Sequence, residues 1–214
     1  MDIEKKLIDI IGPYKVYEVD GEEIRADIEP NFTNFASHLN FDFVPENEFW
    51  VDRENDPGET MFFITRMEMK KKLVDHGMDK DKAEEIAERA ELADRAKSKK
   101  FQKLSKGREV PDKLKLKKIF DFGGVNGYLV DGEMVRDFYY EDFTEGGHGY
   151  VYNWIPKDEV WIDDDVSEEE RPDVILHEVY EREKMINGES YEEAHKAALE
   201  LELIVKSQRV NGEK

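Results

Sequence analysis

The chain of 214 residues contains no cysteine and no apolar run long enough to cross a membrane. Without cysteine, disulfide bonds and thiolate metal sites are excluded, so a metal site would have to use nitrogen and oxygen ligands. Segment 1–12 is amphipathic and carries acidic residues, unlike a signal peptide. We therefore expect a soluble cytoplasmic protein that has no membrane partner.

Basic residues are scarce, with 32 Lys and Arg against 52 Asp and Glu, which gives a formal net charge of −20. This charge disfavours direct binding to nucleic-acid phosphates. Segment 97–118 is the exception, with ten basic and two acidic residues. It is interpreted as a solvated linker that lies against acidic neighbours, or as a basic arm for an anionic partner.

The chain repeats itself at a spacing of 111 residues without a gap. The sequence YEVDGEEIR at 17–25 matches YLVDGEMVR at 128–136, and VPENEFWVD at 44–52 matches IPKDEVWID at 155–163. An unbroken register over such a length indicates a tandem duplication. We therefore expect two related units.

Within each copy the pattern predicts strands first and helices second. β-type residues flank Asp20-Gly21 and Asp131-Gly132, which predicts a β-hairpin turn at both places. A strand that ends in Trp-Val-Asp or Trp-Ile-Asp follows, and two helices close the copy. The predicted fold is α+β: a tandem duplication of a β-hairpin and strand with an antiparallel helix hairpin, related by pseudo-two-fold symmetry. The predicted boundaries are residues 1–98 for the first copy, 99–122 for a basic linker and 123–214 for the second copy.

Helix ends are marked in both copies. Gly77 and Gly188 suit the left-handed residue that ends the first helix of each hairpin. Asp79 and Ser190 suit the N-cap of the second helix. Ser190 and Glu193 also have the spacing of a capping box. These signals predict a short turn between two antiparallel helices.

The helix hairpin of the second copy carries the candidate chemistry. His177 and Glu181 are four residues apart on one helix face, and His195 and Glu202 share a face of the next helix. Counted from the turn at about 1.5 Å per residue, the four side chains reach matching depths. Two imidazoles with one or two carboxylates predict a divalent metal site, with Zn²⁺ as the first expectation and Fe²⁺ or Mn²⁺ also suitable.

Two further side chains could act beside such a metal. Glu178 directly follows the first candidate ligand, where zinc peptidases place the glutamate that polarises the metal-bound water. His148 lies in the glycine-containing segment 142–154. That segment is interpreted as a flexible loop before a strand, or as a loop near the metal in which His148 or Asp142 contacts substrate.

The first copy is an internal control for this site. At the corresponding places it has Arg66, Met67, Lys70, Glu84 and Glu91. Its two basic residues face two acids, so we expect Arg66 to pair with Glu91 and Lys70 with Glu84. By the same logic the second copy is either a metal site or a histidine–glutamate hydrogen-bond cluster.

The C-terminal segment 159–202 resembles a family of mostly uncharacterised microbial and phage-type proteins. The shared pattern is Trp-Ile-Asp, His-Glu-x-x-Glu-Arg-x-x-Met, Gly-x-x-Tyr, Ala-His and a later Glu. In this chain the pattern falls on Trp161, Asp163, His177, Glu178, Glu181, Arg182, Met185, Gly188, Tyr191, Ala194, His195 and Glu202. The resemblance implies a zincin-like relative of the metallopeptidases. It departs from zincins at Glu181, which stands where their second histidine would be.

Two functions follow as hypotheses. In the first, the chain is a metal-dependent hydrolase, such as a zincin-like peptidase that acts on a protein or peptide. His177, Glu181 and His195 would bind the metal, with Glu202 as a fourth ligand or as a hydrogen-bond partner of a ligand, and Glu178 would be the general base. In the second, the chain is a non-enzymatic, phage-related acidic scaffold that mimics nucleic acid or binds a basic partner, with a structural histidine–glutamate cluster.

Overall fold

A computed structural model of the chain describes residues 3–104 and 114–212. The chain divides into two compact units, Met1–Pro111 with Arg136–Asp142, and Asp112–Val135 with Phe143–Lys214. Among the described residues, no helix is both long and apolar enough to cross a membrane.

Both copies build the same series of elements. The first copy consists of β1 (Lys5–Ile11), β2 (Tyr14–Val19), α1 (Gly21–Asp27), β3 (Phe35–Ser37), β4 (Glu48–Asp52), α2 (Thr60–Asp75), α3 (Lys80–Arg95) and the additional α4 (Lys99–Leu104). The second copy consists of β5 (Lys115–Phe122), β6 (Val125–Val130), α5 (Gly132–Phe138), β7 (Gly146–His148), β8 (Glu159–Asp163), α6 (Arg171–Ile186) and α7 (Tyr191–Gly212). This confirms the α+β class and the repeated arrangement.

Each copy contains a four-stranded mixed sheet. The strand orders are β1-β2-β4-β3 and β5-β6-β8-β7. In both sheets the central pair is parallel and the outer pairs are antiparallel. Even the register is shared, since Tyr17 lies opposite Trp50 and Tyr128 lies opposite Trp161.

The hairpin turns predicted at Asp20-Gly21 and Asp131-Gly132 are wrong. Asp20 is the N-cap of α1, and its Oδ1 accepts a hydrogen bond from the Glu23 amide at 3.1 Å. Asp131 likewise accepts from the Met134 amide at 2.8 Å. The residues after each Asp-Gly are good helix formers, so the aspartate caps a helix instead of starting a turn.

The glycines after these aspartates are needed for a different reason. A Cβ on Gly21 would lie 1.8 Å from an Asp52 carboxylate oxygen, and a Cβ on Gly132 would lie 2.0 Å from that of Asp163. The actual turns between the first two strands of each copy lie at 12–13 and 123–124, where the glycines adopt positive φ.

The predicted linker at 99–122 also differs from the structure. Its start forms α4, and its end is β5, the edge strand that pairs with β6. Residues 105–113 of the linker lie outside the described residues. β5 is mostly exposed, so it accepts lysines, and basic composition could not distinguish such an edge strand from a linker.

The helix hairpins confirm the predicted ends. Gly77 and Gly188 have φ of 87° and 96°, the left-handed region. Asp79 accepts hydrogen bonds from two amides of the first turn of α3. Ser190 and Glu193 exchange the two hydrogen bonds of a capping box, at 3.1 and 3.3 Å.

Candidate metal centre

The centre lies between α6 and α7, which pack against each other within the second unit. The facing residues of α7 include Ala194 and Ala198, both fully buried, whose small side chains allow the helices to approach closely. His177 and Glu181 are buried on α6, while the side chain of His195 on α7 remains 29% exposed. The centre is thus buried on the α6 side and reaches the surface at His195.

Three donor atoms converge. His177 Nε2 lies 3.1 Å from His195 Nδ1, Glu181 Oε2 lies 2.7 Å from His195 Nδ1, and Glu181 Oε2 lies 3.5 Å from His177 Nε2. Tetrahedral ligands placed about 2.0–2.1 Å from Zn²⁺ are roughly 3.3 Å apart. Two sides of the donor triangle, at 3.1 and 3.5 Å, are close to this value, and the third, at 2.7 Å, is the length of a hydrogen bond between Glu181 and His195.

Glu202 stands on the other side of the His177 ring. Its Oε2 lies 3.3 Å from His177 Nδ1, and its Oε1 lies 2.8 Å from Lys206 Nζ. A hydrogen bond from Nδ1–H to a carboxylate leaves Nε2 free as a ligand and orients the ring. Of the two roles predicted for Glu202, this placement supports the hydrogen-bond partner and not the fourth ligand.

The protonation of the cluster follows from its contacts. Burial raises the pKa of Glu181, but hydrogen bonds from His148, His177 and His195 outweigh it and hold that pKa well below its usual range. Burial lowers the pKa of His177, but hydrogen bonds to Glu181 and Glu202 raise it to about 10. Without a metal, a proton on His177 supplies the positive charge that these carboxylates require, and metal binding would displace it.

Glu178 stands beside this cluster, half-buried. A Cβ on Gly146 would lie 3.2 Å from Glu178 Cγ, so the glycine leaves room for the glutamate. Burial raises the pKa of Glu178 to about 7, although His177 acts to lower it. A carboxylate with a pKa near neutrality is suited to accept a proton as a general base.

Gly146 and Glu178 together replace a hydrophobic contact of the first copy. The corresponding residues there are Phe35 and Met67, which belong to the apolar core beneath α2. Phe35 stacks on Phe63 with 5.0 Å between ring centroids. The second copy has therefore exchanged two large apolar side chains for a glycine and a carboxylate next to the candidate ligands.

The burial of His148 is inconsistent with the predicted substrate contact. His148 ends strand β7, its exposure is 0%, and its Nε2 lies 3.0 Å from Glu181 Oε1. Asp142, the other candidate for substrate contact, forms a two-point ion pair with Arg66 at 2.6 and 3.1 Å. The sequence could not reveal these partners because they are distant along the chain.

Tyr191 belongs to the family pattern quoted above, but its role at the site was not predicted. Its ring stacks on His195 with 5.3 Å between centroids and 24° between planes. The two residues are four apart on α7, a spacing at which helical side chains meet. That spacing was the available signal, and the contact restricts the orientation of the His195 ring.

The first copy confirms the predicted ion pairs. Arg66 Nη1 lies 3.3 Å from Glu91 Oε2, and Lys70 Nζ pairs with Glu84 Oε2. Arg66 Nε also lies 2.7 Å from Glu84 Oε1. Each of these contacts joins a cation to an anion.

The corresponding contacts of the second copy do not pair a lysine or arginine with a carboxylate. Where Arg66 meets Glu84, His177 meets His195, so two imidazole nitrogens face each other. Among the described residues, Glu181 contacts three histidines and neither a lysine nor an arginine. Glu181 therefore has histidines where the first copy has arginine and lysine, and the three donor atoms could hold a divalent cation. The cation of Lys206 contacts Glu202, on the other side of the His177 ring.

Comparison of the chain with protein-family models, with curated proteins and with solved structures finds no match. The resemblance to a zincin-like family therefore stays a prediction.

Proposed function

We propose that the second copy is a mononuclear divalent metal centre, with Zn²⁺ as the first expectation, and that the chain is a metal-dependent hydrolase. The observation that carries the proposal is the convergence of His177 Nε2, His195 Nδ1 and Glu181 Oε2 within 2.7–3.5 Å of one another. Two nitrogens and one carboxylate oxygen are also the ligand set of zinc peptidases.

The three donor atoms would leave one coordination position of a zinc ion open for water or substrate. In the described part of the chain, this group offers three donor atoms, whereas Zn²⁺ prefers four ligands. The His195 side chain is 29% exposed, so the remaining position would be nearest to solvent on that side. When bound, a Zn²⁺ ion would supply Lewis acidity that lowers the pKa of a water and polarises a carbonyl group.

The residues of the chain would divide the remaining tasks. Glu178, whose carboxylate offers an oxygen within 4.8 Å of a Glu181 oxygen, would accept a proton from the attacking water. Glu202 would hold the His177 ring in orientation through Nδ1. Hydrolysis of an amide or peptide bond is the reaction class that these groups support. We place this reaction in the reducing cytoplasm, because a chain without cysteine needs no disulfide bond for its stability.

Metal content tests the proposal. The protein should be purified without chelators or metal-affinity resin and analysed for Zn, Fe and Mn. We expect about one equivalent per chain, lost in His177→Ala and retained in His76→Ala, which removes an exposed histidine of the first copy. A wild-type protein without metal, whose stability is the same with and without chelator, would refute the centre and favour the scaffold hypothesis.

Activity is tested separately. With a mixture of unstructured peptides as substrate and mass spectrometry as readout, wild-type protein should produce cleavage products. Glu178→Gln should retain the metal and lose the products, because it removes the proton acceptor and leaves the ligands. Cleavage at an unchanged rate in Glu178→Gln would exclude Glu178 as the base.

A further inference from the structure

The two oxygens of the Glu181 carboxylate face different partners. Oε2 faces His195 at 2.7 Å and His177 at 3.5 Å, on the metal side. Oε1 lies 3.0 Å from Nε2 of His148, whose side chain is 0% exposed. His148 is thus a buried group that contacts a candidate ligand from behind.

The backbone determines which nitrogen of His148 carries the proton. The amide of Tyr150 donates a hydrogen bond to His148 Nδ1 at 3.2 Å, so Nδ1 presents its lone pair. The neutral ring then has its proton on Nε2, and this N–H donates to Glu181 Oε1. The acceptor at Nδ1 and the donor at Nε2 are both satisfied within the protein.

This tautomer decides between two interpretations of the cluster. His148, Glu178 and Glu181 each offer a donor atom, and the three atoms lie within 4.8 Å of one another, which would suit a second metal bridged by Glu181. A histidine ligand binds metal through a bare nitrogen and donates its other N–H. His148 shows the reverse, because Nδ1, which faces away from the cluster, accepts a hydrogen bond and Nε2, which faces the cluster, donates one.

We propose that His148 is a positioning residue. Its Nε2–H group donates a hydrogen bond to Glu181 Oε1, which orients Oε2 toward His177 and His195 and keeps the centre mononuclear. The inference rests on the proposed metal centre. It also explains why Glu178 remains free to act as a base instead of binding a second ion.

The first copy supports this role by contrast. Ser37 stands at the place of His148, and its hydroxyl donates to Asn40 Oδ1 at 2.8 Å. Lys70 stands at the place of Glu181, so that copy has no carboxylate to be held there. The imidazole and the carboxylate that it contacts occur together in the second copy and are both replaced in the first. A site on a strand also holds its side chain more rigidly than a loop would.

The test compares His148→Ala and His148→Gln, with Ser37→Ala as the matched control in the first copy. Affinity for Zn²⁺ is measured by competition with a chelating dye, and the environment of the metal by the visible spectrum of protein loaded with Co²⁺. We expect one metal per chain in the wild type and an affinity about 10–100-fold lower in His148→Ala, as for other groups that orient ligands. His148→Gln should recover most of the affinity and the wild-type spectrum, because its amide N–H can donate to Glu181. Ser37→Ala should change neither.

Several results would overturn the inference. Two metals per chain, of which one is lost in His148→Gln, would make His148 a ligand. Unchanged affinity and spectrum in His148→Ala would show that Glu181 needs no support. If His148→Ala fails to fold, the positioning role is judged from His148→Gln alone. A metal affinity as low as that of His177→Ala would contradict the role. An affinity near that of the wild type, with one metal per chain, would support it. A wild-type protein that binds no metal would instead refute the proposed centre.

Discussion

The hairpin of α2 and α3 and the hairpin of α6 and α7 share a plan of contacts but differ in charge. Arg66 meets Glu91 at 3.3 Å, and at the corresponding places His177 meets Glu202 at 3.3 Å. The pair of Lys70 and Glu84 becomes Glu181 and His195, with the acid moved to the other helix. The geometry persists, but His177 and Glu181 stand at the positions of the two fixed cations Arg66 and Lys70.

The two hairpins differ in how they compensate buried charge. The charge of a buried cation is compensated when acidic side chains contact it, and Arg66 pairs with four acids of its own unit. The buried Glu181 carboxylate contacts histidines instead, so the compensating charge has to come from a proton on an imidazole, as on His177, or from a metal ion. One hairpin therefore compensates its buried charges with arginine and lysine, while the other offers nitrogen and oxygen donors that could hold a metal ion.

The largest effect should come from converting one hairpin into the other. The triple variant His177→Arg, Glu181→Lys, His195→Glu introduces the ion pairs of the first copy into the second. All three donors are removed, so bound metal should fall to background while the fold is retained. Metal analysis and thermal unfolding with and without EDTA check this. Unfolding that still depends on EDTA would show that the metal binds elsewhere.

Breaking the ion-pair hairpin should be the next largest effect. Arg66→Ala removes the cation that contacts Glu91 and Glu84, while Arg95 still contacts Glu91 and Lys70 still contacts Glu84. Removing one partner of a buried pair costs about 3–5 kcal/mol, and the remaining cations place the expected loss at the lower end of that range. Urea unfolding should show this loss equally with and without EDTA. Arg89→Ala, which removes a 75% exposed arginine of the same hairpin, should change the free energy of unfolding by less than about 0.5 kcal/mol. Comparable losses in the two variants would mean that burial of the pair is unimportant.

Removing the partner of His177 should sharpen the comparison further. Glu202→Gln weakens the hydrogen bond that orients the ring, and we expect metal affinity to fall about 10–100-fold, measured by dye competition. Glu200→Gln, on the exposed face of α7, is the control and should leave the affinity unchanged. A complete loss of metal in Glu202→Gln would indicate direct ligation.

Acid should act on the first hairpin through Glu84. Burial raises the pKa of Glu84, but Lys70 and Arg66 outweigh it and lower the pKa below its usual value. The pairing therefore contributes stability in full above the unfolded-state pKa of about 4.3, and this contribution is lost as the pH falls through the lower folded-state value. Wild type should exceed Glu84→Gln in urea stability at pH 7, and the gap should close in acid. A gap that is the same at pH 3 and pH 7 would contradict this assignment.

The smallest effects should come from removing a feature that both hairpins have, the N-cap of the second helix. Asp79→Ala and Ser190→Ala each remove an N-cap of the second helix, at a cost of about 1 kcal/mol. Thermal unfolding should give similar losses in both, and EDTA should change neither difference. A much larger loss for Ser190→Ala in metal-loaded protein would mean that the metal centre depends on the start of α7.

Much of this arrangement was predictable because it depends on residues that are near in sequence. Helix ends at Gly77 and Gly188 require a backbone conformation that glycine favours, and a capping box is a contact over three residues. His177 and Glu181 share a face through helical periodicity alone. The Asp-Gly pairs were misinterpreted because the same dipeptide suits a hairpin turn and a helix start.

The sequence alone determined the duplication, the α+β class and the helix hairpin on which His177, Glu181 and His195 meet, since each follows from local periodicity or from comparison of the two copies. Tertiary structure decided the rest. Glu202 faces Nδ1 and not the cluster, and His148 lies buried behind Glu181 with its tautomer set by a backbone amide. Those roles depend on which side of a ring a partner occupies, and only the packing of helices and strands determines that.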